Sequence, residues 1–488
     1  MMFSVLAAAL PVLVGLIVVR LIAPRLTGRL FVVSLSVPVG YGVVSCLAFV
    51  WLLVVGSVSR GVPATEVAFV IGGAILIIRR GHQFLPPSAK RHMLDKPKLA
   101  LYAERMLWVA FVVVLLLVCI SYVVNVRMAP HGSFDAWESW NMKARLLFLS
   151  GRDWKHNFKA VTDIVPDYPL SLPLSIASIW ATTRNDSTLV PVLVAGFYLA
   201  STVGILLAAL TVLRSPGQGL IACILLLGTP FYVHLAYAEY ADVPLACLML
   251  ATIALLAFYE TSSRTGDILA LAGLAAGLSC WMKDEGVVFC ICILVSFIAF
   301  KGLLEGRATF LYTLSRLTSG AMIPWLMLVM FRAKLAGSNW FLAKQDSSIV
   351  IHKLLSADIY RAVLHSLMFH VLEDFGNWQF NILLIVAVCG LLAGIRPNGT
   401  TRAFLGAWSI TVTAMLCFYV FILVASPYSE APPPFDINWF ALVTIQRLFM
   451  QLWPTFIFGC LMIVRTPEEI LRGSLDATLT EPGAVAVG

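Results

Sequence analysis

The residues best suited to chemistry lie in the stretch 134–145, which directly follows a long apolar run. Read as a helix, this stretch places Asp135, Glu138 and Met142 on one face, because positions three and four apart are neighbours. Lys143 follows one position later. Two acids beside basic residues at the point where a chain leaves the membrane would suit chemistry on a lipid head group.

Aromatic side chains accompany these charges. Trp137 and Trp140 are three residues apart, and tryptophan is enriched where the bilayer meets water. Two interpretations of the stretch therefore stay open. It is either an acidic ridge that performs chemistry or an ordinary interfacial loop with an aromatic belt.

Other charged residues stand at the ends of apolar runs. Glu239 and Asp242 precede one run, and the hairpin 283–285 (Lys-Asp-Glu) separates two others. A charge at membrane depth costs about 2.5–3.5 kcal/mol on insertion scales, so such residues are candidates for function. Asp242 has an equally good alternative as a helix cap, since Asp is a favoured N-cap and Pro244 suits a first turn. For the hairpin the alternative is simple solvation, but its shortness favours function.

Arg447 interrupts a long apolar run. It lies about two turns inside the run, too deep for free solvation, although a long side chain can extend to the interface. Arg447 is therefore the charged residue that a structural role explains least.

The composition is that of a membrane protein. Of the 488 residues, 60% are hydrophobic and 12% are charged, against about 25% charged residues in soluble domains. The net charge of +8 is explained by cytoplasmic Lys and Arg, not by nucleic acid. The first apolar run continues into further spans without a small-residue cleavage site, so we expect no cleaved signal peptide.

The apolar runs predict an all-α protein with thirteen membrane spans, each of about 20 residues. The spans run at about 3–22, 30–56, 63–78, 103–126, 188–212, 219–236, 242–259, 267–282, 286–301, 317–332, 378–395, 403–425 and 440–464. The short piece 170–181 is predicted to be a re-entrant or juxtamembrane helix. Basic residues between Arg79 and Lys98 place that loop in the cytoplasm, which puts the stretch 134–145 outside, the N-terminus outside and the C-terminus inside.

The chain divides into four predicted regions. These are the N-terminal helices with a basic cytoplasmic loop (1–98), a transmembrane module (99–332) with a first outer loop (127–187), an outer segment (333–376) and the C-terminal helices with a cytoplasmic tail (377–488).

Four motifs carry a resemblance to a known family. They are Phe134-Asp135, Tyr168-Pro169-Leu170, Asp242-Val243-Pro244-Leu245, and the glycine-rich stretch Gly273-Leu274-Ala275-Ala276-Gly277 that leads to Lys283-Asp284-Glu285-Gly286. In this order the chain resembles the GT-C superfamily of integral-membrane glycosyltransferases, which use polyprenyl-phosphate sugars. Within it, the chain is similar to the bacterial branch related to protein O-mannosyltransferases and lipid A aminoarabinose transferases. The likeness covers about 100–330, with further support at Arg447.

The resemblance implies an inverting glycosyl transfer on the extracytoplasmic face of the inner (plasma) membrane. The donor would be a polyprenyl-phosphate sugar, the acceptor a lipid or glycan, and Asp135 the general base. The same likeness gives roles to further residues. Lys283 and Arg447 would hold the lipid phosphate, with Lys143 and Arg145 as reserve candidates. Glu239 and Glu285 would bind sugar hydroxyls, and the rest of the substrate site would consist of Glu138, Asp242, Tyr168, Trp137 and Trp140.

The chain departs from the family pattern at one point. Some members pair two acids in the first loop, whereas Ala136 and Trp137 follow Asp135 here. We therefore predict no obligatory divalent cation and no other cofactor. Two other functions stay open: a lipid-linked-sugar flippase or transporter without chemistry, and a polysaccharide ligase that uses a polyprenyl diphosphate. A transporter would place charges near the midplane in two repeated halves, and no internal repeat is evident.

Overall fold

The computed structural model describes residues 2–85, 98–161, 167–337, 345–395, 402–431, 434 and 436–471. These residues form helices and connecting turns and no strand. Parts of the segments discussed above fall outside the described ranges: residues 86–97 of the basic loop, 162–166 of the first outer loop, 338–344 of the outer segment and the end of the C-terminal tail.

The described residues form nineteen α-helices, numbered in chain order. They are α1 (Met2–Ile22), α2 (Arg29–Val55), α3 (Gly61–Arg79), α4 (Lys98–Met128), α5 (Asn141–Leu149), α6 (Trp154–Val161), α7 (Ser171–Thr183), α8 (Leu189–Leu213), α9 (Pro216–Leu227), α10 (Pro230–Tyr237), α11 (Asp242–Phe258), α12 (Gly266–Met282), α13 (Asp284–Glu305), α14 (Arg307–Lys334), α15 (Ser347–Leu355), α16 (Ala357–Leu372), α17 (Ile382–Ala393), α18 (Arg402–Ala425) and α19 (Ile437–Ile463).

Long apolar helices confirm that this is an integral membrane protein. Nine helices of the described part are long and apolar enough to cross a bilayer, and eleven spans result if each of two bent helix pairs is one span. The nine are α1, α2, α3, α4, α8, α11, α13, α14 and α18. The predicted total of thirteen would also need α12, an apolar helix of 17 residues, and α19, which carries Arg447.

The predicted span 219–236 is not a single straight helix. It consists of α9 and α10, which meet at an angle of 68°. Pro230 explains the break, because proline lacks an N–H group and disfavours helical geometry in the preceding residue. The predicted span 378–395 also differs: α17 has only 12 residues and follows α16 across a bend of 85°.

Helix α11 forms the centre of the bundle and is buried along its whole length. Next to it, α12 and α14 approach closely through glycine. A Cβ atom on Gly273 would lie 2.0 Å from the carbonyl oxygen of Leu317, and one on Gly320 would lie 1.9 Å from that of Ala270. Only glycine allows this approach, which brings the C-terminal end of α14 next to the loop between α12 and α13.

Replacing Gly273 with alanine is expected to destabilise the bundle, because the added methyl group would push α14 away. Overpacking of this kind costs about 1–3 kcal/mol. Gly72→Ala in α3 is the matched control: it also adds a methyl group to a helical glycine, but nothing lies within 4 Å of the new atom. The control is expected to gain about 0.5–1 kcal/mol. Thermal unfolding of both variants in detergent measures the difference, and equal midpoints would contradict the packing argument.

Candidate active site

Five helix ends meet at one end of the bundle. There α11 begins at Asp242, α12 ends directly before Lys283, α13 begins at Asp284, α14 carries Arg332 in its last turn and α10 ends at Tyr237. Consecutive antiparallel helices bring alternate ends together, so residues far apart in the chain become neighbours. The loop after α4, which contains Asp135, lies against the same end because Ser133 N–H donates to the carbonyl oxygen of Ala238 at 3.1 Å.

Arg447 is the centre of the charged cluster. Its Nη1 atom lies 2.6 Å from Asp135 Oδ2, and its Nη2 atom lies 3.0 Å from Asp242 Oδ2. The ring of Tyr240 covers the guanidinium at 4.5 Å from the ring centroid. Arg447 lies ten residues into α19, which is about 15 Å along the helix axis and deeper than the predicted two turns. One guanidinium therefore joins the loop that carries Asp135 to the core of the bundle.

The side of this cluster away from Asp135 is almost fully buried. Lys283 Nζ lies 3.0 Å from Asp242 Oδ1 and 3.0 Å from Glu285 Oε1. Gln451 donates a hydrogen bond of 2.6 Å to Asp242. Although burial acts in the opposite direction, the two carboxylates raise the pKa of Lys283 above its usual range. The hairpin is thus no solvated turn, and Asp242 does not cap α11, because its carboxylate is bonded to three other side chains.

A cavity of about 900 Å³ opens over this cluster. Its polar side contains six of the residues predicted from sequence to form the site: Asp135, Glu138, Tyr168, Lys283, Glu285 and Arg447. Its other side is apolar and largely aromatic, formed by Phe231, Leu235, Phe418, Phe421, Ile422, Tyr428, Trp439, Phe440, Leu442 and Val443. Such a cavity suits a molecule with one charged or polyhydroxylated end and one hydrocarbon end.

The stretch after Phe134 is helical, but its first turn is a π-helix (Ala136–Trp140) that continues into α5. Asp135 and Glu138 both line the cavity, as predicted, whereas Met142 does not belong to its lining. Burial and the neighbouring Asp135 raise the pKa of Glu138. Short π-helical turns occur frequently at functional sites.

The two predicted indoles separate. Trp137 is 52% exposed and packs edge-on against Phe134, while Trp140 is fully buried and stacks on Tyr168 at 5.3 Å. The two indoles therefore do not share one face, although they are three residues apart. The π-helical turn is the physical reason, since its i→i+5 hydrogen bonds change the angular spacing of positions three apart.

Two lysines flank the ring of Tyr168. Lys143 Nζ lies 5.8 Å from its centroid and Lys283 Nζ lies 5.7 Å from it. Burial lowers the pKa of Lys143 to about 8, although Asp167 and Asp284 act to raise it. Lys143 Nζ lies 6.0 Å from the ring centroid of Trp140 as well, and Lys143 does not line the cavity, so it packs against the stacked pair of rings.

Besides Lys143 and Trp137, three predicted site residues lie outside the cavity lining. Arg145 pairs with Asp186 at 3.2 Å and approaches the ring of Trp180. Asp242 lies behind the wall as the buried partner of Arg447 and Lys283. Glu239 accepts a hydrogen bond of 2.6 Å from Asn141. The positions of these three side chains do not favour direct contact with a substrate.

The structure adds residues to which the sequence had assigned no separate role, although Asp284 belongs to the hairpin 283–285 singled out above. Asp167 and Asp284 both line the cavity, and both pair with Arg332. Gln451 and Tyr240 contact Asp242 and Arg447. The only sequence signal for Gln451 was its position one helical turn after Arg447, which is weak by itself.

No protein-family model, no curated protein and no solved structure matches the chain. The assignment of a function therefore depends on the geometry of the site. Carboxylates beside a guanidinium and an aromatic wall are groups that can accept a proton, hold an anion and stack on a sugar ring.

Proposed function

We propose that the protein is an inverting glycosyltransferase that moves a sugar from a polyprenyl phosphate to a hydroxyl group of a lipid or glycan acceptor. The membrane would be the inner (plasma) membrane and the reaction would take place on its extracytoplasmic face. The same proposal includes membership of the GT-C superfamily, in the branch related to protein O-mannosyltransferases and lipid A aminoarabinose transferases, which the sequence resembles.

One observation carries the proposal: a single cavity joins a charged cluster to a wall of aromatic and aliphatic side chains. A polyprenyl-phosphate sugar has this combination of properties. Asp135, Asp242, Lys283 and Glu285 lie at one end of the bundle, where helices begin and end, and Arg447 reaches them from within α19. This differs from the midplane sites of secondary transporters. This position favours chemistry at the membrane surface over transport through it.

The proposed base is Asp135. It lines the cavity, its side chain is 29% exposed, and it can accept the proton of the acceptor hydroxyl. The acceptor oxygen forms the new bond to the anomeric carbon, and the bond from that carbon to the phosphate oxygen breaks on the opposite face. The proton ends on Asp135, and the lipid phosphate leaves as an anion. Proton transfer to a positioned base typically contributes a factor of about 10²–10⁴ in rate.

The proposed ligand of the phosphate is Arg447. A phosphate anion needs positive charge and hydrogen-bond donors, and guanidinium is well suited to both. Asp242, whose side chain is only 1% exposed, is the permanent partner of Arg447, so Asp135 is the partner that a phosphate can replace. The anomeric carbon must lie between base and leaving group. The contact between Asp135 and Arg447 therefore has to open when the donor binds.

Lys283 contributes in a different way. Its ammonium group is already 3.0 Å from two carboxylates and has little capacity left for a phosphate. Its role is to offset the charge of Asp242 and Glu285 inside the cluster, so Arg447 is the better candidate for direct phosphate contact.

Hydroxyl groups of the sugar would bind beside the stacked rings. Glu285 Oε2, Ser139 Oγ and Trp140 Nε1 are buried polar atoms of cavity-lining residues that have no hydrogen-bond partner within the described ranges. Buried polar atoms are normally paired, so partners supplied by a ligand would explain all three. Tyr168, which also lines the cavity and stacks on Trp140, supplies a ring face for the sugar.

Glu285→Gln is expected to lower kcat/KM about ten- to hundredfold, since a hydrogen bond to a charged group is worth about 1.5–3 kcal/mol. Glu305→Gln is the matched control. Glu305 also pairs with a lysine, Lys301, but it lies at the C-terminal end of α13, far from the cavity. Steady-state kinetics of both variants test the assignment, which fails if the two lose the same amount of activity.

Turnover tests the proposed function directly. The purified full-length protein is incubated in detergent with polyprenyl-phosphate monosaccharides of several kinds and with membrane extract as the acceptor source. Release of free polyprenyl phosphate that requires an added acceptor supports transfer. Tight binding of the lipids without release from any donor would instead favour the flippase function.

A further inference from the structure

Glu239 has a backbone conformation that few residues other than glycine adopt. Its φ angle is +62°, and its side chain is buried in the turn between α10 and α11. A positive φ is uncommon outside glycine, and it persists where surrounding contacts determine it.

Three hydrogen bonds tie this turn to the segment that carries Asp135. Asn141 Nδ2 donates to Glu239 Oε2 at 2.6 Å, near the C-terminal end of the segment. Ser133 N–H donates to the carbonyl oxygen of Ala238 at 3.1 Å, near the other end. The N–H of Asp135 itself donates to the hydroxyl oxygen of Tyr240 at 3.5 Å. The segment 132–141 is thus fixed at both ends and at Asp135.

Close packing reinforces these bonds at Gly132. Its φ angle is +72°, and a Cβ atom there would lie 2.7 Å from the carbonyl oxygen of Ala238 and 3.2 Å from Glu239 Cβ. The segment therefore lies directly on the backbone of the turn. Contact this close ties the position of the segment to that of the turn.

The carboxyl group of Glu239 does not line the cavity. Its second oxygen, Oε1, is buried without a hydrogen-bond partner within the described ranges. Burial raises the pKa of Glu239 to about 8, although the bond from Asn141 acts to lower it. The raised pKa favours the neutral carboxyl group, which can still accept the hydrogen bond from Asn141.

We propose that Glu239 is a positioning residue: through Asn141 it holds the segment 132–141 on the turn 238–241, so that Asp135 lies beside Arg447 in the cavity lining. The turn also leads into Asp242, the buried partner of Arg447. Glu239 thereby fixes the backbone of Asp135 relative to the turn that leads into Asp242, while the side-chain contact between Asp135 and Arg447 stays free to open. The consequence for catalysis rests on the proposed function, whereas the consequence for the structure does not.

Hydrogen–deuterium exchange of the full-length protein in detergent tests the structural part. Glu239→Leu removes the acceptor at similar size, and we expect the amides of 132–141 to exchange about tenfold faster. Glu239→Gln keeps an acceptor for Asn141 and should exchange like wild type. Asn141→Leu removes the donor instead and should match Glu239→Leu, so it serves as the test if Glu239→Leu does not fold. In the double variant, exchange should be no faster than in either single variant.

Two results would overturn the proposal. One is unchanged exchange of 132–141 in both Glu239→Leu and Asn141→Leu. The other is fast exchange in Glu239→Gln, which would show that a negative charge, not the hydrogen bond, is needed.

With an active donor, Glu239→Leu is expected to lower kcat by about a hundredfold, as for a misplaced catalytic group, with a much smaller change in KM, and Gln should restore kcat. An increase in KM without a change in kcat would contradict a positioning role and would make Glu239 a substrate ligand. If exchange responds as expected but no donor is turned over, the positioning role stands and the proposed transferase function fails.

Discussion

Asp135→Asn is expected to lower kcat about 10²–10⁴-fold, because asparagine keeps the shape of the side chain but cannot accept the acceptor's proton. The fold should persist: the contact with Arg447 is partly exposed and such ion pairs contribute about 0–1 kcal/mol, while Asp242 continues to hold the guanidinium. Release of polyprenyl phosphate and thermal unfolding in detergent measure the two effects.

The same variant, Asp135→Asn, also tests the affinity for polyprenyl phosphate. If Asp135 competes with the lipid phosphate for Arg447, its removal as an anion should leave the affinity for polyprenyl phosphate unchanged or increase it. Glu138→Gln is the matched control, since Glu138 lines the same cavity and changes charge by the same amount. Activity of Asp135→Asn within tenfold of wild type would remove Asp135 from the role of base, as would an equal loss in both variants.

Arg447→Met is expected to abolish binding of polyprenyl phosphate and to destabilise the protein. The first effect follows from the loss of the guanidinium in the cavity. The second follows because Asp242, which is 1% exposed, keeps only Lys283 and Gln451 as partners, and removing one member of a buried pair costs about 3–5 kcal/mol. Binding of a labelled polyprenyl phosphate and thermal unfolding report the two effects separately.

The matched control for Arg447 lies at the opposite end of the bundle. Lys301 is fully buried between Glu260, at 2.9 Å, and Glu305. Lys301→Met should therefore lower thermal stability by a similar amount and leave the affinity of the folded protein for polyprenyl phosphate unchanged. Equal loss of affinity in the two variants would show that Arg447 acts through the fold and not as a phosphate ligand.

Local patterns in the sequence identified most of the helices. Runs of about 20 apolar residues reflect the thickness of the bilayer, and nine of the predicted spans correspond to helices that meet this requirement. The same patterns located the charged residues at the ends of runs. The bend at Pro230 was missed because the apolar run continues across it, and hydropathy does not register a change of helix direction.

Only the tertiary structure decided which of these charges meet. Arg447 binds Asp242 across 205 residues of sequence, and nothing in either local pattern specifies the other. The pairing results from helix packing: Gly273 and Gly320 bring α12 and α14 together, and the buried α11 places Asp242 beside α19. The same packing placed Glu285 at the cavity and turned Arg145 towards Asp186.

The sequence by itself determined a polytopic helical membrane protein with charged residues concentrated at helix ends, because membrane thickness and the cost of buried charge act on each segment separately. The tertiary structure decided that Asp135, Arg447, Asp242 and Lys283 form one connected cluster, and that Glu239 lies behind the segment 132–141. These contacts depend on distances between helices that are far apart in sequence, and such distances are fixed only when the side chains of all the helices pack together.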